Sequence, residues 1–243
     1  MARPRARLIA GAVLLAALGF GQARAETVDV ALVLALDSSS SVNRDEFFLQ
    51  SQGIAAAFAD PEVQAAIASG PNRKVAVALL EWSSPGRQHL DIGWQIVTAD
   101  NAAAFAETVG NSPRYIEGGG TAIGAALGRA GIVMANLPFQ ALRRVVDLSG
   151  DGKTSAGPPA PLARDALVAQ GITVNGLAVI NEEADVDRFY AENVIGGPGA
   201  FVEVAADYDD FIHAIKRKLI RELTTEPMVA SLSPGQPLTP ARP

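Results

Sequence analysis

Three short segments of this 243-residue sequence place hydroxyl and carboxylate side chains beside glycine or serine. Residues 37–41 read Asp-Ser-Ser-Ser-Ser and fit the pattern D-x-S-x-S, residues 117–121 read Glu-Gly-Gly-Gly-Thr, and residues 149–152 read Ser-Gly-Asp-Gly. Such oxygen donors, with no imidazole or thiolate among them, favour Mg²⁺, Mn²⁺ or Ca²⁺ over zinc or copper. The candidate metal ligands are Asp37, Ser39, Ser41, Thr121 and Asp151.

Glycine occupies positions in these segments where the backbone would come close to a bound ion. Gly118, Gly119 and Gly120 allow positive φ and a close approach of the chain, and Gly152 is expected to let the chain turn beneath the ion. Each segment also has a simpler interpretation, because Asp-Ser runs, glycine-rich stretches and Asp-Gly pairs often form turns and helix caps. The order of the segments and the elements that position them therefore decide between the two.

The sequence around the three segments alternates strand and helix patterns. Residues 28–36 form an almost continuous apolar run, which suits a strand buried on both faces of a sheet. Asn43 then fits a helix N-cap, and Glu46 completes a capping box. Further strands are predicted at 74–82, 90–97, 144–148, 172–180 and 201–204, and helices at 43–59, 100–109, 121–136, 159–170, 183–193 and 207–223.

This alternation predicts an α/β fold with a doubly wound, mainly parallel six-stranded sheet flanked by helices. Only residues 83–89 separate the second and third strands. That link is too short for a crossover, so the third strand is expected to be antiparallel and to lie at an edge. Ligands bind beyond the carboxyl ends of the strands in such sheets. Residues 37–41 and 149–152 follow strands directly and are predicted to meet at that edge.

The first 25 residues have the form of a targeting segment. Residues 1–7 carry three arginines and no acid, and residues 8–20 form an uncharged apolar run of 13 residues. A membrane-spanning helix needs ~20 residues. The Ala-Arg-Ala at 23–25 predicts a secretory signal peptide cleaved after Ala25, with an uncleaved N-terminal anchor as the alternative. In both cases the domain at 26–225 is expected to be exported, either periplasmic or secreted.

Composition limits the classes of function. Removal of residues 1–25 takes away four arginines, which leaves 16 basic against 26 acidic side chains and a net charge of −10. This surface repels nucleic acid and anionic lipid, so we expect no nucleic-acid partner and no membrane insertion after signal cleavage. Cysteine is absent, which excludes disulfides, thiolate metal sites and cysteine nucleophiles. The Pro-rich residues 226–243 predict a disordered tail.

Taken in this order at the ends of strands, the three segments resemble the von Willebrand factor A (vWA) domain and its metal-ion-dependent adhesion site (MIDAS). The resemblance covers about residues 28–223. It implies a strand order of 3-2-1-4-5-6 with the third strand antiparallel. The chain most resembles an uncharacterised bacterial branch of this superfamily with one exported domain, and that branch implies no particular activity.

The resemblance also implies a role for each candidate ligand. Ser39 and Ser41 would coordinate the ion directly through their hydroxyls. Thr121 would do so directly or through water. Asp37 and Asp151 would act mostly through bridging waters.

Two charged residues depart from the apolar pattern of the predicted strands. Asp147 lies in the fourth strand and Glu81 in the second, where burying an unpaired charge would cost several kcal/mol. Three arrangements are open for them. They could pair with a basic residue such as Arg143, Arg144 or Lys153, lie behind the ion as an outer shell, or reach solvent at a strand end.

We expect the domain to be a protein-binding module rather than an enzyme. Neutral hydroxyls leave the cation, most simply Mg²⁺, incompletely neutralised, so it can bind an acidic residue of a protein partner. Arg87, Arg114 or Lys153 would assist. One alternative is a metal-dependent hydrolase, with Glu117 or Asp147 as general base. The other is an interaction scaffold in which the ion is purely structural.

Overall fold

A computed structural model describes residues 26–224 of the chain. The predicted signal peptide at 1–25 and the predicted tail at 226–243 lie outside the described residues. Within the described part, no helix is both long enough and apolar enough to cross a membrane.

Six strands form one sheet in the order β3-β2-β1-β4-β5-β6. Strand β1 pairs in parallel with β2 and β4, and β5 pairs in parallel with β4 and β6. Strand β3 pairs with β2 in the antiparallel sense. The predicted α/β fold, its strand order and the edge position of the third strand are therefore confirmed. The strands are β1 (Thr27–Asp37), β2 (Val75–Trp82), β3 (Gln88–Val97), β4 (Gln140–Gly150), β5 (Thr173–Val179) and β6 (Val202–Ala205).

Helices cover both faces of the sheet, and the first begins at the predicted capping box. Asn43 Oδ1 accepts from the Glu46 amide at 3.0 Å, and Glu46 Oε2 accepts from the Asn43 amide at 2.8 Å. The helices in residues 26–224 are α1 (Arg44–Ala59), α2 (Pro61–Ser69), α3 (Ala102–Gly110), α4 (Ile123–Ala135), α5 (Ala160–Ala169), α6 (Val186–Asn193) and α7 (Phe211–Thr224).

Helix α2 was not predicted from the sequence. Asp60 ends α1 and caps α2, because its Oδ1 accepts from the Glu62 amide at 2.8 Å. Pro61 takes the first helical position, where its fixed φ and missing N–H are tolerated. An Asp-Pro pair can thus end one helix and begin the next within one residue. From the sequence pattern alone, only the end of the first helix was predicted.

Strand β1 is buried on both faces and separates two apolar cores. Leu32 and Leu34 pack with α1, α2, α3 and α7, whereas Ala31 and Val33 pack with α4, α5 and α6. Successive side chains of a strand point to opposite faces, so a strand covered on both sides reads as a continuous apolar run. The polar side chains of β1 accordingly lie near its two ends, with Asp37 at the carboxyl end.

A buried ionic cluster lies between α7 and the sheet. Lys218 Nζ lies 2.8 Å from Asp147 Oδ1 and 2.5 Å from Glu222 Oε1, and the three side chains are at most 2% exposed. Glu222 Oε1 also accepts from Asn175 Nδ2 at 2.7 Å. Burial raises the pKa of Asp147, Lys218 opposes that rise, and Glu222 adds to it. Asp147 is therefore paired with a lysine of the last helix, which is not one of the basic residues expected from the sequence.

Replacing Lys218 with methionine should destabilise the domain by about 3–5 kcal/mol at neutral pH, because the buried carboxylates of Asp147 and Glu222 both lose the ammonium group that pairs with them, while the apolar volume is kept. Urea unfolding measures this loss. Lys216→Met is the matched control on the same helix: Lys216 pairs with Asp60 near the surface, and its loss should be about 1 kcal/mol or less. Equal losses in the two variants would contradict a stabilising role for the buried cluster.

Candidate metal centre

Four of the five predicted ligands meet where β1 and β4 end side by side. Ser41 Oγ donates to Asp151 Oδ1 at 2.6 Å, and Ser39 Oγ lies 3.1 Å from Ser41 Oγ. Asp37 Oδ1 accepts from the Ser39 amide at 2.7 Å, which folds residues 37–41 into a turn. The adjacent parallel strands bring the two loops together, as the sequence predicts.

Thr121 lies in the loop between α3 and α4, which we call the threonine loop. This loop is hydrogen bonded to residues 37–41, which we call the serine loop. The Ser40 amide donates to the Gly119 carbonyl at 3.0 Å, and the Gly119 amide donates to Ser40 Oγ at 2.8 Å. A Cβ atom placed on Gly152 would lie 3.7 Å from Thr121 Oγ1, so the Thr121 hydroxyl faces the loop of Asp151. The structure therefore gathers Asp37, Ser39, Ser41, Thr121 and Asp151 at one edge of the sheet, and we call these five residues the candidate centre.

The carboxylates of the candidate centre are buried and only partly satisfied. Asp37 and Asp151 are both 0% exposed, and Oδ2 of each is without a hydrogen-bond partner. Burial and the nearby Asp151 charge raise the pKa of Asp37 to about 7, and burial also raises the pKa of Asp151. Two buried like charges are costly unless a cation or further donors compensate them.

The donor set fits a hard divalent cation. It consists of two carboxylates and three hydroxyls, and its unpartnered Oδ2 atoms are free to bind. Within residues 26–224 no group of three or more His, Cys, Asp or Glu side chains is placed to hold a metal.

Backbone geometry explains several of the glycines around the candidate centre. Gly118 and Gly119 have φ values of 67° and 114°, which residues other than glycine rarely adopt. Gly152 lies in the bend that follows β4, and a Cβ atom there would have no neighbour closer than 3.7 Å. The close approach is at Gly150, where a Cβ atom would lie 2.7 Å from Asp37 Oδ2.

Residues outside the predicted set hold the threonine loop in place. The Glu81 carboxylate accepts from the amides of Tyr115 and Ile116 at 2.8–3.0 Å, so this charged residue of β2 anchors the start of the loop. Arg114 donates to the carbonyl oxygens of Ser38 and Val42. A glutamate within an apolar strand is the one sequence feature that pointed to this support.

The basic residues around the candidate centre differ in availability. Arg114 is used in the support just described. Lys153 Nζ lies 2.6 Å from Asp185 and 3.3 Å from Glu183, which neutralise it. Arg87 is exposed, and its guanidinium donates to the carbonyl oxygens of Glu117 and Gly118 at the rim of the centre.

Comparison with known families now places the chain. The model of a family described as "Protein of unknown function (DUF1194)" matches residues 27–227. The chain belongs to the DUF1194 family. A comparison of this DUF1194 member with curated proteins gave no match.

Solved structures show that this DUF1194 member has a vWA-like α/β fold. Proximal thread matrix protein 1 (PTMP1) from the mussel byssus aligns at 15% identity and a TM-score of 0.57, over 82% of this chain and 46% of that one. A second PTMP1 structure, described as having a zinc-occupied MIDAS motif, aligns at 16% identity and a TM-score of 0.55, over 83% and 50%.

Two bacterial structures align in the same way. A von Willebrand factor type A protein from Catenulispora acidiphila gives 16% identity and a TM-score of 0.53, over 81% of this chain and 43% of that one. The pilus adhesin SpaC from Lactobacillus rhamnosus GG gives 14% and 0.52, over 82% and 31%. The chain thus spans half or less of the length of these structures, and at such identities the likeness shows the fold alone.

The carboxyl group of Asp91, beside the loop-anchoring Glu81, should make the free energy of unfolding depend on pH. Burial and the neighbouring Glu81 raise the pKa of Asp91 from 3.8 to about 9. Between these values the folded protein keeps a proton that the unfolded chain releases, so stability falls as pH rises through this window. Asp91→Asn should reduce that slope by up to about 1.4 kcal/mol per pH unit.

Urea unfolding between pH 5 and 8.5 measures the slope for the wild type and the variant. The exposed Asp100→Asn is the matched control for the amide substitution itself and should leave the slope unchanged. An unchanged slope in Asp91→Asn would show that Asp91 does not retain its proton in the folded protein.

Proposed function

We propose that the protein is an exported binding module that uses a divalent cation, preferably Mg²⁺, to capture an acidic residue of a protein partner. Asp37, Ser39, Ser41, Thr121 and Asp151 would hold the ion. The observation that carries the proposal is the convergence of two fully buried carboxylates, each with an unpartnered oxygen, on a cluster of hydroxyls. Mn²⁺ or Ca²⁺ would suit the same oxygen donors.

The hydroxyls account for the choice of partner chemistry. Ligands that are neutral leave positive charge on the cation, so the ion retains affinity for one more anionic oxygen, which a glutamate or aspartate can supply by displacing water. Arg87, exposed at the rim, is placed to add attraction for the same carboxylate. The net charge of −10 opposes acidic partners in general, so we propose recognition of a single carboxylate presented at the ion.

The named relatives support a binding role by their descriptions only. One is described as a matrix protein with a zinc-occupied MIDAS motif and another as a pilus adhesin. Those properties belong to these proteins. For this chain they favour a divalent cation and protein interaction over other uses of the fold, and export would bring the domain to partners outside the cytoplasm.

The surroundings of the two acids that could act as general base, Asp147 and Glu117, favour binding over hydrolysis. Asp147 is held by Lys218 in the buried cluster under α7, and Glu117 is exposed on the threonine loop. A general base must lie within hydrogen-bond reach of the water that it activates. We therefore propose binding without turnover, and we keep the structural ion as the competing hypothesis for the experiments below.

The metal should stabilise the domain, and Asp37→Ala should abolish most of that effect. A ligand bound only by the folded state adds ~2.7 kcal/mol at a hundredfold excess over Kd. Without metal, the variant should be as stable as the wild type or slightly more so, because it lacks one of two repelling buried carboxylates. Thermal and urea unfolding of both proteins in EDTA and in excess Mg²⁺ measure the effect.

Asp29→Ala is the matched control at the opposite end of the same strand. Asp29 accepts hydrogen bonds from the Asn72 amide and side chain, so its loss should cost ~0.5–2 kcal/mol with and without metal. If Asp37→Ala behaves like Asp29→Ala, losing stability equally in both buffers with an intact metal response, Asp37 is a turn residue and not part of a metal centre.

Partner capture should depend on the metal and on the candidate centre together. Immobilised wild-type domain is expected to retain a protein from the native periplasm in Mg²⁺ and to release it in EDTA. Asp29→Ala should retain the same protein, whereas Asp37→Ala should not. Replacing the acidic residues of the captured protein with amides should then identify the bound carboxylate. Retention that survives EDTA and Asp37→Ala would favour the scaffold with a structural ion.

A further inference from the structure

Two buried tyrosines lie directly beneath the candidate centre. Tyr190 belongs to α6 and is 0% exposed, and Tyr208 precedes α7 and is 4% exposed. The hydroxyl of each is buried without a hydrogen-bond partner. Buried tyrosine hydroxyls in proteins usually find a partner, so two orphans at one place require an explanation.

The space around the Tyr190 hydroxyl adjoins Asp37. A Cβ atom on Gly150 would lie 2.7 Å from the Tyr190 hydroxyl and equally 2.7 Å from Asp37 Oδ2. A Cβ atom on Gly176 would lie 2.8 Å from the ring edge. Glycine at these positions of β4 and β5 therefore makes room for the tyrosine, and its hydroxyl borders the same space as the unpartnered carboxylate oxygen.

Tyr208 has the corresponding position at the second carboxylate. Burial raises the pKa of the Asp151 carboxyl, and the Ser41 and Tyr208 hydroxyls beside it oppose that rise, although the Tyr208 hydroxyl makes no hydrogen bond of full geometry. Burial raises the pKa of both tyrosines, and the Asp37 and Asp151 charges raise it further. Each phenol therefore keeps its proton at neutral pH and can donate it to a hydrogen bond.

We propose that Tyr190 and Tyr208 are positioning residues of the metal centre, whose hydroxyls donate to the Asp37 and Asp151 carboxylates when the cation is bound. The inference rests on the proposed metal centre. Hydrogen bonds from an outer shell fix the orientation of metal-binding carboxylates, and their removal typically lowers metal affinity 10–100-fold. The four unpartnered oxygens, two carboxylate and two phenolic, are then satisfied as one group.

A purely structural role makes the opposite prediction. If the hydroxyls stabilised the metal-free folded protein, Tyr190→Phe and Tyr208→Phe would lower its stability in EDTA and leave metal affinity unchanged. If they serve the metal centre, each variant should unfold in EDTA at the same temperature as the wild type or higher, because a buried hydroxyl without a partner has been removed. Phenylalanine keeps the ring, so the packing of residue 190 against Gly176 is retained.

The experiment combines calorimetric titration with Mg²⁺ and thermal unfolding in EDTA, on the wild type and both variants. We expect Kd to rise about 10-fold or more in each variant, with apo stability maintained. Tyr115→Phe is the matched control, because Tyr115 is 51% exposed and its ring packs on His89, so both readouts should match the wild type.

The outcomes separate this inference from the proposed function. Wild-type Kd values retained in both Tyr190→Phe and Tyr208→Phe would overturn the positioning role while leaving the metal centre intact. So would a loss of apo stability with unchanged affinity. If the wild type itself binds neither Mg²⁺, Mn²⁺ nor Ca²⁺, the metal centre fails, and the positioning role fails with it.

Discussion

Two carboxylates at the ends of neighbouring parallel strands impose the main constraint on this domain. Asp37 and Asp151 are fully buried at one edge of the sheet, and each raises the cost of ionising the other. The fold keeps them there because β1 and β4 are paired in parallel register over most of their length. The serine and threonine hydroxyls, the glycine backbone and the proposed cation can all be understood as responses to these two charges.

The surrounding structure divides into parts that hold the loops and parts that hold the sheet. Glu81 and Arg114 bind backbone groups of the threonine and serine loops, so charges near the candidate centre are used to fix its geometry. The ionic cluster around Lys218 has a different place, between α7 and the strand face. Glu81 and Asp147 both interrupt apolar strands in the sequence, but they have different roles. Glu81 holds a loop of the candidate centre, whereas Asp147 joins the sheet to α7 through Lys218.

Much of the fold could be predicted because its causes are local. A strand covered on both faces must be apolar throughout, and the run before Asp37 shows this directly. The Asn43 capping box satisfies amides within one turn of helix, so its two residues predict the start of α1. The short link before β3 forbids a crossover. Helix α2 was not predicted, because the Asp60 that caps it also ends α1.

What the sequence determined by itself was the chemistry: oxygen donors of the right types, each following a strand or preceding a helix. Only the tertiary structure decided which distant side chains support them, because those contacts depend on how separate elements pack. Lys218 pairs with Asp147 from the last helix, and the Tyr190 hydroxyl borders the space beside Asp37 Oδ2 that Gly150 leaves open. Neither contact has a characteristic spacing along the chain, since side chains that meet across a sheet and a helix share position in space and not periodicity in sequence.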